Sequence, residues 1–446
     1  MKEALNQYLK LYAITDRAWL NGSSLASAVE QAILGGATII QFREKLLTGE
    51  QLKQEAKAVR DICREYGIPF IVNDDVYLAL ELDADGVHVG ASDMGIREAR
   101  ELLGENKIIG ATAKTVQQAI AAEAAGADYL GSGAIFGTTT KADAKPMTMQ
   151  LLTEICGSVS LPVVAIGGID ETNIAKLRKV PVCGCAVVSG IFAQKNIRAA
   201  AEQLRVSFLG KSVIQCMTNY VTANEVANAL LAFGASPIMA HHIKEVEEVQ
   251  RSASGLLLNL GATDDYDAML LAYRAALQSG HPVVIDPVGV GGIEYRRNFL
   301  KKLLTIGSPT CIRGNMGEIR AILKDESTMR GLDYAGDNAF KEDELAVRTL
   351  SEKLSCIIVA TGEQDMIADP EAFYKVDTGS PRQKMVTGSG CMLSAILCAK
   401  LSLNPMRPSR YLAGICKCVG DAAVEAAGCE GGTMNFLHAW MDRFTS

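Results

Sequence analysis

The 446-residue chain is long enough for two domains, because a single hydrophobic core seldom grows beyond about 250–300 residues. A formal net charge of −7 without any Lys/Arg block gives no support to a nucleic-acid partner, and no apolar run approaches membrane-spanning length. The 12 cysteines are dispersed without a CxxC pair, which argues against a disulfide framework or a zinc site. Because the N-terminus carries no apolar leader, we expect a cytoplasmic protein with reduced thiols.

Short β-branched segments recur through the first half of the chain, and amphipathic helical patterns lie between them. The eight segments are LYAITD, TIIQFRE, PFIVND, GVHVG, IIGAT, YLGSGAI, VVAIGGI and CAVVSG. This alternation predicts an α/β fold whose first domain, residues 1–207, is a (β/α)8 TIM barrel, and a doubly wound open sheet is the alternative.

Polar residues follow many of these strands, at the end where a barrel of this kind builds its active site. Carboxylates in successive loops suit Mg²⁺, cationic side chains from different strands suit a pyrophosphate, and glycine-rich strand ends suit a phosphate. We therefore expect a cleft for two phosphorylated species. Its candidate residues are Gln41, Arg43, Lys45, Asn73, Asp74, Asp93, Thr138, Thr140, Lys141, Gly168, Val188 and Ser189.

The segments YAITD, QFREK, ND, DGVHVG, GSGAIFGTTTK, AIGGI and AVVSG resemble thiamine-phosphate synthase, in order, across nearly all of residues 8–205. The resemblance implies the joining of hydroxymethylpyrimidine diphosphate to hydroxyethylthiazole phosphate, with Arg43 and Lys141 absorbing the charge of the leaving pyrophosphate. It also implies that Gln41, Arg43, Lys45 and Asn73 contact the pyrimidine diphosphate, that Asp74 and Asp93 hold Mg²⁺, that Thr112, Thr138, Thr140 and Lys141 line the pocket, and that Gly168, Val188 and Ser189 cradle phosphate.

The second half begins where the last helix of the barrel runs into SVIQCMT, and its predicted strands and helices are less regularly spaced. Its strand candidates include VIQCMTNYV, SPIMAHH, GLLLNLG and PVVIDPVGVGG, with TCIRGNMGE, CIIVATGEQD and KMVTGSGC following. The pattern predicts an open α/β sheet over residues 208–446 that binds its ligands at the strand ends.

The motifs IDPVG, IRGNMGE, ATGEQD and VTGSGC, with TNYVTANEVANALLAFGASPIMAH before them, resemble hydroxyethylthiazole kinase of the ribokinase-like group over residues 211–440. A glycine-rich turn at a helix start offers backbone N–H groups to a phosphoryl group, and a thiol there is expected to have a lowered pKa and to accept a proton. A tight turn with a small buried thiol is the alternative. The resemblance gives this thiol role to Cys391, the anion hole to Gly388 and Gly390, Mg²⁺ to Asp286 and Glu318, ATP to Arg313 and Thr361, and the thiazole to Asn219 and Met239.

The two halves make metabolic sense together, because the product of the kinase is the acceptor for the barrel. The interpretation is a bifunctional thiamine-salvage enzyme that uses Mg²⁺ and takes ATP as co-substrate, and the kinase resemblance implies a homo-oligomer with a trimeric core. A thiazole tautomerase barrel and a non-catalytic thiamine or thiazole sensor are the alternatives. The first handles no diphosphate, and the acidic and basic sets in both halves disfavour the second.

Overall fold

The computed structural model describes residues 5–20, 22–90, 93–137, 146–326, 339–403 and 405–445. The chain divides into two compact units, residues 1–210 and 211–446. The last helix of the first unit continues to Leu209, so the division falls after Gly210.

Eight parallel strands of the first unit close into a barrel, in which each strand pairs with the next and the eighth pairs with the first. The predicted TIM barrel is confirmed, and the doubly wound alternative is wrong. The strands are β1 (Leu11–Ile14), β2 (Ile39–Phe42), β3 (Phe70–Asn73), β4 (Gly86–Val89), β5 (Ile108–Thr112), β6 (Tyr129–Gly133), β7 (Val163–Ile166) and β8 (Gly184–Val187).

Helices follow the strands, and several begin at a side-chain cap, such as Ser24, Thr115 and Asn196, that accepts a backbone N–H of the first turn. The helices are α1 (Leu5–Tyr8), α2 (Leu25–Leu34), α3 (Gly49–Tyr66), α4 (Val76–Glu81), α5 (Ile96–Leu103), α6 (Val116–Ala124), α7 (Met149–Ser158), α8 (Ser189–Phe192) and α9 (Ile197–Leu209). Inward-facing strand residues, among them Ile39, Ile71, Ile108 and Val164, fill the barrel with a packed apolar core.

The second unit is an eight-stranded sheet in the order β10-β9-β11-β12-β13-β14-β15-β16, in which β15 pairs antiparallel with both β14 and β16 and the other pairs are parallel. The strands are β9 (Val213–Met217), β10 (Ser236–Ile238), β11 (Gly255–Asn259), β12 (Val283–Asp286), β13 (Cys311–Asn315), β14 (Ile357–Thr361), β15 (Asp365–Ala368) and β16 (Phe373–Val376). The open α/β sheet is confirmed, although the antiparallel strand β15 was not predicted. The segment KMVTGSGC forms no strand, because it runs from a 3-10 helix (Pro381–Met385) directly into an α-helix.

The helices of this unit include one that is buried along almost its whole length. They are α10 (Ala223–Ala232), α11 (Val246–Ser252), α12 (Tyr266–Ser279), α13 (Glu294–Ile306), α14 (Met316–Glu326), α15 (Ala339–Leu354), α16 (Ser389–Leu401), α17 (Pro408–Ala426) and α18 (Thr433–Thr445). Every residue of α16 from Cys391 to Leu401 is buried, and the helix packs on β9, β11 and β12. Within the described ranges, no helix combines the length and apolarity needed to cross a bilayer.

Candidate functional sites

A cavity of about 160 Å³ lies among the residues that end the barrel strands. Eight of the residues predicted for this site line it, namely Gln41, Arg43, Asn73, Asp74, Thr112, Gly168, Val188 and Ser189. Lys45 is exposed, and neither it nor Asp93 is among the described lining residues. Thr138, Thr140 and Lys141 lie outside the described residues.

Five of the side chains that line the cavity form a continuous hydrogen-bonded chain. Nε2 of Gln41 donates to the Tyr12 hydroxyl at 2.9 Å, and the hydroxyls of Tyr12 and Tyr129 are 2.8 Å apart. His88 then links Tyr129 to Thr112, with Nδ1 3.0 Å from the Tyr129 hydroxyl and Nε2 3.1 Å from Oγ1 of Thr112. Sequence reasoning missed Tyr12, His88 and Tyr129. The polar histidine inside the otherwise apolar segment GVHVG was the available signal.

The charged residues of the barrel cleft are held by their immediate neighbours. Nη1 of Arg43 lies 3.6 Å from Oδ2 of Asp16. Asp74 adopts a left-handed backbone with φ of 63°, and its Oδ2 accepts a 2.6 Å hydrogen bond from Nδ2 of Asn73. Oδ2 of Asp93 accepts the backbone N–H of Gly90 at 2.7 Å, so this carboxylate also closes the turn after β4. Arg43 and Asp74 therefore line the cavity, whereas Asp93 is connected to its lining through Gly90.

In the second unit, Cys391 lies in the first turn of α16 and accepts a hydrogen bond from Asn259, which ends β11. Nδ2 of Asn259 is 3.1 Å from Sγ of Cys391. Oδ1 of Asn259 accepts the backbone N–H of Gly261 at 2.9 Å and Nδ2 of Asn219 at 3.3 Å. The backbone donor fixes the orientation of the Asn259 amide, and the predicted Asn219 is thereby connected to the predicted Cys391 through a residue that sequence reasoning missed.

The protonation state of Cys391 differs from the expectation. Burial and the neighbouring Asp286 carboxylate raise the pKa of the Cys391 thiol to about 12, although Thr222 and Asn259 donate toward the sulfur and oppose the rise. The predicted lowering of this pKa is wrong, because Cys391 is only 8% exposed and its thiol lies beside a negative charge. The alternative of a small buried thiol fits its surroundings better.

Asp286, at the end of β12, is the most buried carboxylate of this site. It pairs in register with Asn259 and is 1% exposed, and burial raises its pKa to about 6 despite the nearby Arg313 guanidinium. Its Oδ2 accepts a hydrogen bond from the Ser394 hydroxyl at 2.9 Å, whereas its Oδ1 is buried without a partner among the described residues. An unpaired carboxylate oxygen at a strand end suits a cation that arrives with a ligand.

Glu318 and Arg313 complete the charged part of this pocket. The Glu318 carboxylate accepts the backbone N–H groups of Asn315 and Gly289, each at 2.9 Å, which holds it between the ends of β12 and β13. Arg313 donates from Nη2 to Oγ1 of Thr361 at 2.5 Å, and its Nη1 lies 4.0 Å from Oδ2 of Asp286. The structure thus brings together the predicted Asp286, Arg313 and Thr361.

Two glycines allow the start of α16 to approach this pocket. Gly388 has φ of 81°, and a Cβ there would lie 2.6 Å from Cγ2 of Thr222. A Cβ at Gly390 would lie 2.2 Å from Nη1 of Arg313. Both predicted glycines therefore lie against side chains of this site, and Met239 follows β10 as a half-buried residue.

Comparisons with known proteins cover both units. A family model described as "Thiamine monophosphate synthase" matches residues 11–191, and one described as "Hydroxyethylthiazole kinase family" matches residues 209–446. A "Probable thiamine biosynthetic bifunctional enzyme" of Schizosaccharomyces pombe is 31% identical over 432 residues, which are 87% of this chain and 83% of that protein.

Two further similarities each concern one unit. A thiamine-phosphate synthase of Clostridioides difficile is 45% identical over 202 residues, which are 45% of this chain and 96% of that protein. The solved structure of a hydroxyethylthiazole kinase protein from Pyrococcus horikoshii is 29% identical, with a TM-score of 0.47, and the match covers 53% of this chain and 88% of that chain.

Proposed function

Because this chain belongs to the family of bifunctional thiamine-biosynthetic enzymes, with a thiamine-phosphate synthase half and a hydroxyethylthiazole kinase half, we propose specific ligands for its two pockets. The barrel cavity binds hydroxymethylpyrimidine diphosphate and then the thiazole phosphate. The pocket around Cys391 binds hydroxyethylthiazole and ATP. The observation that supports this assignment is that cationic and anionic side chains meet at the strand ends of both units, beside the glycine-rich start of α16 in the second.

In the kinase pocket, we assign the γ-phosphate of ATP to the start of α16. Backbone N–H groups of Gly388, Gly390 and Cys391 and the Arg313 guanidinium would stabilise the charge of the phosphoryl group during transfer. Asp286 and Glu318 would hold Mg²⁺, which fits the unpaired Oδ1 of Asp286, and the ion would supply charge neutralisation of the triphosphate.

Cys391 then has a positioning role in this proposal. Its thiol is neutral in the ligand-free protein, and Asn259 fixes the sulfur by a hydrogen bond. We assign it the task of orienting the thiazole hydroxyl toward the phosphoryl group, because phosphoryl transfer depends mainly on alignment and charge stabilisation. The hydroxyl oxygen forms the new bond to phosphorus as the bond from phosphorus to ADP breaks, and the hydroxyl proton passes to solvent water.

In the barrel, the chemistry requires a charged leaving group to be stabilised, and no protein nucleophile is needed. Arg43, Lys45 and Lys141 would take up the charge of pyrophosphate as the C–O bond breaks to a pyrimidine cation, which the thiazole nitrogen captures. Asp74 and Asp93 would hold Mg²⁺, whose charge helps the pyrophosphate to leave.

The proposal also covers the localisation, the oligomeric state and the substrates of the enzyme. We place it in the cytoplasm, as a homo-oligomer with a trimeric kinase core, with small molecules as its substrates. Sedimentation of the full chain would test the oligomeric state, and a monomer would contradict the trimeric core.

The decisive experiment supplies the full chain with hydroxyethylthiazole, ATP, Mg²⁺ and the pyrimidine diphosphate, and it measures thiamine phosphate. We expect product with the complete mixture, thiazole phosphate alone when the pyrimidine diphosphate is omitted, and product without ATP when thiazole phosphate is supplied. Lys141→Ala should stop thiamine phosphate formation and leave thiazole phosphorylation intact. Unchanged coupling by this variant would contradict the assignment of the barrel cleft.

A further inference from the structure

The hydrogen-bonded chain in the barrel cavity has a direction. Each tyrosine hydroxyl has one hydrogen to donate, and a neutral imidazole donates from one nitrogen and accepts at the other. Gln41 donates from Nε2 to Tyr12, and Tyr12 bonds only to Gln41 and Tyr129 among the described residues, so its own hydrogen must point to Tyr129. Tyr129 then donates to Nδ1 of His88, and a neutral His88 ring that accepts there donates from Nε2 to Thr112.

This direction gives the two ends of the hydrogen-bonded chain opposite roles, because one end is a donor and the other an acceptor. The Thr112 hydroxyl accepts from His88 and keeps its own hydrogen for a ligand in the cavity. Gln41 uses Nε2 toward Tyr12 and presents its amide oxygen as an acceptor. If the Gln41 amide turned over, every bond of the chain would have to reverse, and Thr112 would become an acceptor. The donor end and the acceptor end of the hydrogen-bonded chain can therefore exchange roles only together.

Burial keeps the two linking tyrosines in their neutral forms. Tyr12 and Tyr129 are 1% and 0% exposed, and burial raises the pKa of both hydroxyls above the ordinary value of a tyrosine. The hydrogens that set the direction therefore stay in place across the physiological pH range. The two rings also meet edge to face, with centroids 5.9 Å apart, which restricts rotation of either side chain.

We propose that Tyr12, Tyr129 and His88 are positioning residues that fix one donor and one acceptor at the two ends of the chain, and so make the barrel select an aminopyrimidine over its 4-oxo analogue. This inference rests on the proposed function of the barrel. An aminopyrimidine offers an amine hydrogen to Gln41 and a ring nitrogen to Thr112. The oxo analogue replaces the amine by a carbonyl and carries a hydrogen on N3, while N1 remains an acceptor. With N1 facing Thr112 it needs a donor at both ends, which the intact chain does not provide.

The test uses the full-length protein and measures binding by calorimetry, so that turnover is not required. The probes are the 4-amino and 4-oxo forms of 5-hydroxymethyl-2-methylpyrimidine monophosphate. The wild-type protein should prefer the amino form by roughly 10- to 100-fold, the usual discrimination of a well-matched hydrogen-bonding pair. Tyr129→Phe keeps the ring and cuts the chain, so that Gln41 can turn over while Thr112 still donates. We expect the preference to fall to about threefold or less.

A second substitution that interrupts the hydrogen-bonded chain, together with a matched control, separates this inference from a general loss of stability. Tyr12→Phe interrupts the chain one link away and should give the same fall in preference. Tyr66→Phe removes a 2.7 Å hydrogen bond to Glu30, between α3 and α2, and should leave the preference unchanged. Circular dichroism and thermal unfolding of each variant report whether the barrel is intact.

An unchanged preference for the amino form in both Tyr129→Phe and Tyr12→Phe would overturn the inference. Equal binding of the two probes by the wild-type protein would overturn it as well, even if the coupling reaction proceeds. Failure of the proposed function has a different signature, because the wild-type chain would then form no thiamine phosphate from the complete mixture.

Discussion

The α-carbon of Gly390 approaches the Arg313 guanidinium so closely that an added Cβ would lie 2.2 Å from Nη1 and 2.9 Å from Cζ. Arg313 is held from its other side by Thr361 and lies 4.0 Å from the Asp286 carboxylate. The start of α16, a cation from β13 and a carboxylate from β12 therefore share one small volume, although they are far apart in the chain.

Gly390→Ala should impair the kinase without unfolding the protein. The methyl group would push the Arg313 guanidinium, the flexible end of its side chain, away from Thr361. We expect thiazole kinase kcat/KM to fall by about 10- to 100-fold, as for other displacements of about 1 Å at a reacting centre. Gly428→Ala is the control, since nothing lies within 4 Å of a Cβ there. Kinase rates equal to wild type in Gly390→Ala would show that Arg313 needs no fixed position.

Substitutions of Cys391 should separate its acceptor role from simple space filling. Cys391→Asp keeps an acceptor for the Asn259 amide and can take the hydroxyl proton, whereas Cys391→Leu does neither and leaves a buried N–H unpaired, at a cost of about 1–3 kcal/mol. We expect the aspartate variant to retain more kinase activity than the leucine variant. Steady-state rates with hydroxyethylthiazole would decide, and equal values would remove any special role for the side chain.

Asp74→Asn should raise the Mg²⁺ requirement of the barrel reaction. Asparagine tolerates the left-handed backbone of this position, so the fold should persist while the carboxylate is lost. The Mg²⁺ concentration for half-maximal thiamine phosphate formation should rise by at least roughly tenfold. Asp83→Asn is a matched control, because Asp83 also has a positive φ, 49°, but pairs with Lys107 and Arg64. An identical Mg²⁺ response in the two variants would contradict the metal assignment.

Asp286 should make the ligand-free protein less stable as the pH rises. Burial raises its folded-state pKa from 3.8 to about 6, so the native state binds a proton that the unfolded state has released between these values. The free energy of unfolding should therefore fall as the pH rises from about 4 to about 6 and stay lower above, by about 3 kcal/mol at most.

Asp286→Asn removes this buried charge and should raise the stability of the second unit at pH 8, while abolishing kinase activity. The gain should shrink below pH 5, where the native carboxylate is protonated. Thermal unfolding at both pH values measures the effect, and the exposed Asp264→Asn serves as the control. A stability gain that is independent of pH would show that ionisation of Asp286 is not its cause.

Much of the barrel site was predictable because the relevant residues end their strands. Parallel strands bring their carboxyl ends to one edge, so Gln41, Asn73 and Asp74 had to lie near each other once the alternation of strands and helices was recognised. Tyr12, His88 and Tyr129 were missed because they sit within strands, where an aromatic residue suggests core packing. The bond between Tyr12 and Tyr129 joins positions 117 residues apart, which no local pattern reports.

In the kinase site, sequence reasoning gave the wrong direction for one pKa shift. The helix start at Cys391 suggested a lowered thiol pKa, and that reasoning considered only its own turn. Packing of α16 against β11 and β12 buries the sulfur beside Asp286, and desolvation with a like charge reverses the direction of the shift.

The alternation of apolar strands, amphipathic helices and glycine-rich turns was enough to predict both folds, because these patterns follow from local geometry and from the need to bury one face of each element. Burial, the direction of hydrogen bonds and the pKa values of Cys391 and Asp286 were decided by the tertiary structure alone. They depend on which distant side chains share a volume that excludes water, and only the folded chain brings those side chains together.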